Sequence, residues 1–278
     1  MKKISLTLFF IQGLLSILAV RGQTVKEDSL KAFREFAGIG AFYNHLPFDL
    51  KVQIKKTTNS MMVEADTLQS DLRLYTDSHE FYMESDGIKE MGNDSLLVMI
   101  NSNTKQILLY PNRKKMTGNW ISSRMALISD SSIDLLAGKY RARILNLGDN
   151  LNRIEIKTRR MILATTIPRE MITIDYRPLT HEPRWMQQTR FTLLPLDSSS
   201  YIQLKANASF AGKLIDTLTK KRRSFFAIRE VSTTYRFIEI NFSVHEPPLQ
   251  LNDILRKKED GEYVVTGKYE DYTLSTEL

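Results

Sequence analysis

The residues of this chain best suited to metal binding or acid-base chemistry are its histidines. There are four of them: His45, His79, His181 and His245. Three of the four are followed directly by glutamate, a pairing that resembles a set of metal ligands. On an extended strand, however, adjacent side chains point to opposite faces, so one His-Glu pair does not easily hold a single ion. We therefore interpret these pairs as polar residues at strand ends, and we predict neither a metal nor another cofactor.

Catalytic motifs are absent from the sequence. It contains no His-Glu-x-x-His pair, no Gly-x-Ser-x-Gly turn and no glycine-rich phosphate loop. It also contains no cysteine, which excludes disulfides, a thiolate nucleophile and cysteine-ligated metal. Acidic residues are plentiful, but their spacing selects no pair for general acid-base catalysis. The sequence thus favours a non-catalytic protein; in the alternative of a hydrolase, His181 and His245 would meet across neighbouring strands.

Clusters of basic residues offer a second kind of chemistry, the binding of anions. They occur at residues 113–115, 159–160, 220–223 and 256–258. Each lies between predicted strands or helices, where solvated turns are expected, and that interpretation is sufficient for most of them. The functional interpretation is docking to anionic headgroups or to an acidic partner. The candidate docking residues are those of the longest cluster: Lys220, Lys221, Arg222 and Arg223.

Methionine and aromatic side chains could serve apolar ligands. Most such residues form the core, but a curved sheet that does not close would present part of them to a groove. Methionine suits such a groove because it is flexible and polarizable. The candidate groove residues all fall within predicted strands: Phe81, Met83, Met99, Tyr110, Phe191, Phe226, Tyr235 and Phe237.

The first 22 residues have the features of a secretory signal peptide. Two lysines precede an uncharged segment from Ile4 to Val20, and Gly22 is a small residue at the expected cleavage site. The segment is short and polar for a retained membrane anchor, which needs about 20 apolar residues. Cleavage lowers the net charge from +7 to +4, because Lys2, Lys3 and Arg21 leave with it. Such mild basicity requires no nucleic acid as a partner; an anionic membrane surface is the more relevant one.

The stretch Asp71–Pro111 organises the predicted fold. Short apolar runs recur about every ten residues and are separated by turn-forming segments at residues 76–78, 86–87, 92–94 and 101–103. Period-two runs divided by such turns predict an antiparallel meander with one packed face.

Further elements are predicted on both sides of this meander. A helix over residues 25–38 ends at Gly38, and a strand spans Phe48–Lys55. Two short helices or a lid are expected within residues 112–138. Later strands are predicted at residues 140–147, 151–157, 172–176, 186–194, 224–231 and 234–244, with a short helix after Pro248. The predicted fold class is mainly β (α+β), a curved antiparallel sheet or half-open β-barrel with a few short covering helices. Residues 23–278 are expected to form one exported domain, in which residues 196–278 extend the sheet.

This order of elements resembles the half-open β-barrel fold of periplasmic lipoprotein carriers and outer-membrane lipoprotein-sorting proteins. The resemblance covers about residues 25–195 and lies in the architecture; no family motif matches residue by residue, so it assigns no lipid-binding residue. It implies a curved sheet whose concave face is covered by helices, with an apolar cavity for acyl chains. Four Asp-Ser/Thr-Leu tripeptides, beginning at residues 28, 66, 94 and 216, also resemble O-glycan acceptor sites of exported Bacteroidetes proteins.

These observations predict an exported cell-envelope protein that holds a lipid, a lipoprotein acyl group or another apolar ligand in the concavity of its sheet. It would reside in the periplasm or at the outer-membrane surface of a Gram-negative bacterium. An alternative is a structural or assembly partner of an envelope complex, binding through sheet edges and basic turns. The envelope hydrolase described above is a third hypothesis.

Overall fold

The computed structural model describes residues 28–59, 67–112, 130–160, 169–219, 222–244 and 246–277. The predicted signal peptide, most of the predicted lid, Lys220, Lys221 and His245 lie outside these ranges. The helices are α1 (residues 28–42), α2 (Asp130–Lys139) and α3 (Ser198–Lys205). The first eight strands are β1 (Phe48–Thr58), β2 (Leu68–Thr76), β3 (Phe81–Ser85), β4 (Ile88–Gly92), β5 (Leu96–Asn101), β6 (Gln106–Pro111), β7 (Tyr140–Gly148) and β8 (Leu151–Thr158). The others are β9 (Arg169–Tyr176), β10 (Pro183–Leu196), β11 (Leu214–Thr219), β12 (Arg222–Asn241), β13 (Leu255–Lys257), β14 (Tyr263–Val265) and β15 (Thr273–Thr276).

A single large sheet dominates the described part of the chain, and it is open. Its strand order is β15-β6-β5-β4-β3-β2-β1-β12-β10-β9-β8-β7, with β11 beside the first residues of β12. Neighbouring strands are antiparallel except for β15, which runs parallel to β6. Strands β13 and β14 form a separate hairpin. The predicted fold class, a mainly β α+β fold with an open antiparallel sheet, is confirmed.

The predicted meander is confirmed as strands β2 to β6, and local turn chemistry explains its connections. Asp86 and Gly87 adopt φ values of 51° and 79°, which a tight two-residue hairpin with left-handed backbone requires. The other three turns are built on Asp77, Asn93 and Asn101. Each side-chain oxygen accepts hydrogen bonds from the backbone N–H groups two and three residues later.

The sheet has two chemically different faces because side chains alternate along every strand. On the inner face, Leu50 and Val52 of β1 continue the apolar surface of Ile174 on β9, and α1 and α2 pack against this surface. On the outer face, Asp49 of β1 is paired with Arg73 of β2, whose Nη2 lies 2.7 Å from a carboxylate oxygen. We call these two surfaces the inner face and the outer face throughout.

A second core covers the outer face of β3 to β6. Its sheet side includes Tyr82 and Val98, and its cover is the C-terminal segment containing Leu249, Ile254 and Tyr269. A short helix was predicted after Pro248; the structure has a single 3₁₀ turn at Leu251–Asp253. The chain then returns to the sheet edge as β15 beside β6.

Two predicted boundaries were wrong for identifiable reasons. Helix α1 does not end at Gly38 but continues to Phe42. The predicted strands 224–231 and 234–244 are one strand, β12, because β1 and β10 pair with it on both sides through Ser232-Thr233-Thr234. Threonine is β-branched and fits a strand, so these polar residues do not interrupt it. No helix in the described ranges is long and apolar enough to cross a membrane.

Buried tyrosines make the fold sensitive to alkali. Burial raises the pKa of Tyr75 and Tyr82, and the nearby carboxylates of Asp77 and Glu84 add to the effect. Burial and a hydrogen bond to Glu35 raise the pKa of Tyr176 to about 12. An unfolded tyrosine loses its proton near pH 10, so between about pH 10 and 12 the unfolded chain ionises while the folded one does not.

We expect the contribution of these tyrosines to the free energy of unfolding to be constant below about pH 9.5 and to fall as the pH rises from about 10 to 12. Each such tyrosine contributes a slope of up to about 1.4 kcal/mol per pH unit. Urea titrations over this range measure the slope, and Tyr82→Phe should make it shallower. Stability that stays level up to pH 12 in the unmodified protein would contradict this account.

Candidate functional site

An apolar cavity of about 320 Å³ lies between α1 and the inner face of the sheet. The sheet strands that reach it are β1, β2, β9, β10 and β12, and helix α1 forms the opposite wall. The residues that line it are Phe36, Ile39, Gly40, Tyr43, Leu50, Val52, Leu72, Leu74, Ile174, Pro183, Met186, Tyr235 and Phe237. We call this space the inner cavity.

The inner cavity follows from the register of the strands. Leu50 pairs with Leu74, and Val52 pairs with Leu72. The two apolar side chains of each pair are therefore neighbours on the same face of the sheet. On the other side, Tyr235 pairs with Met186, which in turn pairs with Ile174. These positions recur every second residue, which places all of them on the inner face. One helix is too narrow to fill the width of five strands, and space remains under it.

The lining contains no charged side chain, and its side-chain polar atoms are the hydroxyls of Tyr43 and Tyr235. Tyr43 is only 7% exposed, and its ring packs edge-on against Phe42 at a centroid distance of 5.6 Å. Burial raises the pKa of Tyr43, so the hydroxyl keeps its proton. Within the described ranges this hydroxyl has no hydrogen-bond partner. A hydroxyl that lacks a protein partner can donate a hydrogen bond to a polar atom of a ligand.

A polar contact fastens α1 to the sheet beside the inner cavity. The Glu35 carboxylate accepts a hydrogen bond of 2.9 Å from the Tyr176 hydroxyl and lies 3.2 Å from His181 Nε2. The His181 ring stacks on Tyr176, with an interplanar angle of 13°. His181 has φ +58°, a left-handed backbone conformation that is uncommon for residues other than glycine. We call Glu35, Tyr176 and His181 the helix clasp.

The helix clasp explains why position 38 within α1 is a glycine. A Cβ atom added at Gly38 would lie 2.7 Å from two atoms of the His181 ring, so only glycine allows this close approach. The glycine that was predicted to end the helix is instead a contact point between helix and turn. No sequence signal identified the clasp, because Glu35 and Tyr176 are 141 residues apart in the chain.

The structure brings together some of the eight predicted groove residues. Tyr235 and Phe237 line the inner cavity. Met83, like these two residues, packs against the core cluster that contains Leu50 and Val52. Met99 and Tyr110 share the inner face but lie on β5 and β6, several strands away. Whether a ligand contacts any of them stays a prediction.

The other three predicted groove residues lie elsewhere. Phe81 is buried over Gly92, where a Cβ atom would meet its ring at 2.6 Å. Phe191 and Phe226 alternate out of phase with Met186 and Tyr235, and so belong to the outer face. Sequence reasoning missed most of the cavity lining, including Ile174 and Met186, because the strand register decides which apolar residues meet.

The predicted docking cluster lies only partly within the described residues. Of the four docking residues, Arg222 begins β12, and Arg223 is exposed and paired with Asp216 at 2.6 Å. Among the described residues, no group of three or more His, Asp or Glu side chains converges as metal ligands would. Of the proposed glycan sites, Ser29 is buried and bonded to the Ala142 carbonyl, whereas Ser95 is exposed in a turn.

Comparison with known proteins finds distant likenesses to solved structures. Neither a protein-family model nor a curated protein matches the sequence. Among solved structures, an uncharacterized conserved protein from Thermus thermophilus aligns with a TM-score of 0.37 at 10% identity, covering 88% of this chain and 99% of its own. A LolA superfamily protein from Nitrosomonas europaea has a TM-score of 0.26 at 8% identity, with coverages of 77% and 94%. A DUF1329 family protein from Desulfovibrio piger has a TM-score of 0.27 at 9% identity, with coverages of 79% and 95%.

All three TM-scores are below 0.5, so these likenesses assign neither a family nor a ligand. What the inner cavity binds has to be deduced from its own lining.

The tight contact at the helix clasp can be tested by comparing alanine substitutions at two helical glycines, one beside the clasp and one away from it. Gly38→Ala should lower the free energy of unfolding by about 1–3 kcal/mol, because the new methyl displaces the His181 ring. Gly138→Ala in α2 should raise it by about 0.5–1 kcal/mol, because nothing lies within 4 Å of its Cβ and alanine favours the helix. Urea titrations of both variants give the comparison. Equal stabilisation by the two alanines would show that the contact between Gly38 and His181 is not tight.

Proposed function

We propose that this protein binds a lipid, an acyl chain or another apolar ligand in the inner cavity and holds it without chemical conversion. The observation that supports this proposal is the inner cavity itself, about 320 Å³ of space with an apolar lining. Protein interiors contain few voids larger than a water molecule. Binding sites for small ligands begin at about 300 Å³ and are lined mainly by apolar side chains.

The energetics favour a long chain over a small apolar molecule. Burial of one methylene contributes about 0.8 kcal/mol. Association costs at least about 4 kcal/mol, and a micromolar dissociation constant corresponds to about −8 kcal/mol. A ligand without charged anchors therefore needs about fifteen buried methylenes, the length of a long acyl chain, to bind at micromolar concentration.

The lining also restricts the polar part of the ligand. A charged headgroup inside the inner cavity would lose its hydration without meeting an opposite charge. An ester or amide carbonyl, in contrast, could accept a hydrogen bond from the Tyr43 hydroxyl. We therefore propose an acyl ester or amide whose charged portion stays outside, a description that fits both phospholipids and lipoprotein acyl groups.

A second candidate function is assembly with an envelope protein through the edge of the sheet. Strand β7 is the last strand of the sheet, and among the described residues no strand pairs with its free edge. Ser29 is bonded to both the N–H and the C=O of Ala142, and Arg159 Nε donates to the Tyr140 carbonyl, so the first half of β7 is covered. The second half, from Ile144 onward, presents backbone groups to which a partner strand could add.

Filling the inner cavity tests the lipid-binding proposal. Leu72→Trp combined with Met186→Trp places two indole rings in the space under α1 and should weaken binding of an acyl-chain fluorophore by at least about tenfold. The fold should tolerate the change because the added volume enters existing space. Probe titration and native mass spectrometry for co-purified lipid give the readouts.

The matched control is Leu179→Trp, which adds an indole at a residue 87% exposed in the β9–β10 turn. This variant should bind the probe like the unmodified protein. Probe binding that survives both cavity tryptophans, or an unmodified protein that binds neither lipid nor probe, would refute the proposal.

The Tyr43 hydroxyl can be tested separately. Tyr43→Phe should weaken binding of a fluorescent acyl ester by about two- to tenfold, the effect of one neutral hydrogen bond. It should leave the affinity for a pure hydrocarbon probe unchanged, because the phenyl ring keeps the apolar contact. Tyr201→Phe, outside the inner cavity, is the control. An equal loss for both probes would indicate an altered cavity shape and not a lost hydrogen bond.

A further inference from the structure

A dense group of basic side chains lies on the outer face at the β7 end of the sheet. In the strand register Arg141 is opposite Lys157, and Arg143 is opposite Glu155. Arg169 begins β9, the next strand. Five basic side chains line a shallow groove of about 500 Å³ here: Arg141, Arg143, Lys157, Arg159 and Arg169. We call this group the basic edge.

Few acids balance the basic edge. Glu155 serves two of its cations, with Arg143 Nη2 at 2.7 Å and Lys157 Nζ at 3.2 Å. Partial burial alone would raise the pKa of Glu155, but the hydrogen bonds and charges of these two cations together outweigh it and hold the pKa below its usual value, so the carboxylate is charged. The groove also contains Asp28. Five cations thus face two carboxylates, and the groove keeps a local positive excess.

The remaining cations have no acidic partner within the described ranges. Arg159 Nε donates to two backbone carbonyls, those of Ala137 and Tyr140. Arg169 stacks on the Phe191 ring at 5.2 Å, and Arg141 is exposed. Their guanidinium groups are therefore available to external anions such as phosphate.

Half-buried apolar side chains flank these cations on the same face. Met171 pairs with Lys157, and Phe191 lies beneath Arg169. Trp185 carries the Arg153 guanidinium at 5.6 Å from its ring, further along the outer face. Cations with adjacent aromatic and aliphatic groups are typical of surfaces that rest in the headgroup region of a bilayer.

We propose that the basic edge docks this protein onto an anionic phospholipid bilayer. The charges spread over three strands of an open sheet face, a shape that matches a broad array of phosphates. The strand residues of this surface lie on the face opposite the inner cavity, so docking would leave the cavity unobstructed. The proposal goes beyond ligand binding in the inner cavity and does not depend on it.

Vesicle sedimentation tests the docking. The protein should bind vesicles of seven parts phosphatidylcholine to three parts phosphatidylglycerol, bind pure phosphatidylcholine much more weakly, and dissociate as salt is added. Arg141→Glu with Arg169→Glu should weaken binding to the anionic vesicles by more than about tenfold, because each cation near an anionic surface contributes roughly fivefold. Arg141→Gln with Arg169→Gln replaces this variant if the glutamates prevent folding.

The control has the same charge change at a distance from the basic edge. Lys55→Glu with Arg256→Glu reverses two exposed cations and should retain most of the vesicle binding. Equal losses in the two double variants would overturn the proposal in favour of a general charge effect. Binding of a soluble oligonucleotide but not of anionic vesicles would overturn it in favour of a nucleic-acid partner. Acyl-probe binding should be normal in the basic-edge variant, so failure of docking and failure of the cavity proposal give different results.

Discussion

The strict alternation of side chains along one continuous sheet is the constraint from which the rest of this structure follows. Along the strands from β2 through β1 and β12 to β7, apolar residues fall on the inner face, and this surface must be shielded from water. Helices α1 and α2 cover the inner face over the half of the sheet that contains β7, β8 and β9. Because the cover is a pair of helices and not a second sheet, it cannot interdigitate along the full width, and the inner cavity is the result.

Strand β12 makes this continuity possible. It pairs with β10 along one side and with β1 and then β11 along the other. The meander at the start of the chain and the strands β7 to β10 would otherwise be separate sheets. A single residue, Ile238, is skipped where Lys51 pairs with Glu239 and Val52 with Phe237. This irregularity allows Ile240 and Phe237 both to face inward, so the apolar surface passes through the centre of the sheet without interruption.

The sequence predicted those features that depend on short-range patterns. The meander, its Asp- and Asn-based turns, strand β1 and the β7–β8 hairpin are encoded within short stretches of chain, and all were located correctly. For the inner cavity, the sequence predicted an apolar groove but not most of the residues that line it. Tyr235 and Phe237 were chosen because they are aromatic residues in an alternating strand. Phe191 and Phe226 meet the same criterion, but their side chains point to the opposite face of the sheet. Only the register between strands distant in sequence separates these two sets, and a single sequence does not contain it.

The same limit applies to the polar residues, where the consequence is functional. His181 was considered as a possible metal ligand or catalytic base because it precedes Glu182, yet its partner is Glu35 on α1, and Glu182 instead contacts Arg177 and Arg184. The helix clasp fixes one side of α1, and the aromatic contacts of Phe42 with Tyr43 and Phe242 fix its C-terminal end. Between these two points Phe36 and Ile39 lie over the inner cavity. The wall of the cavity is therefore supported at both ends. Of the two supports the clasp is the more polar, so it is the one that loses the least free energy when water replaces its contacts.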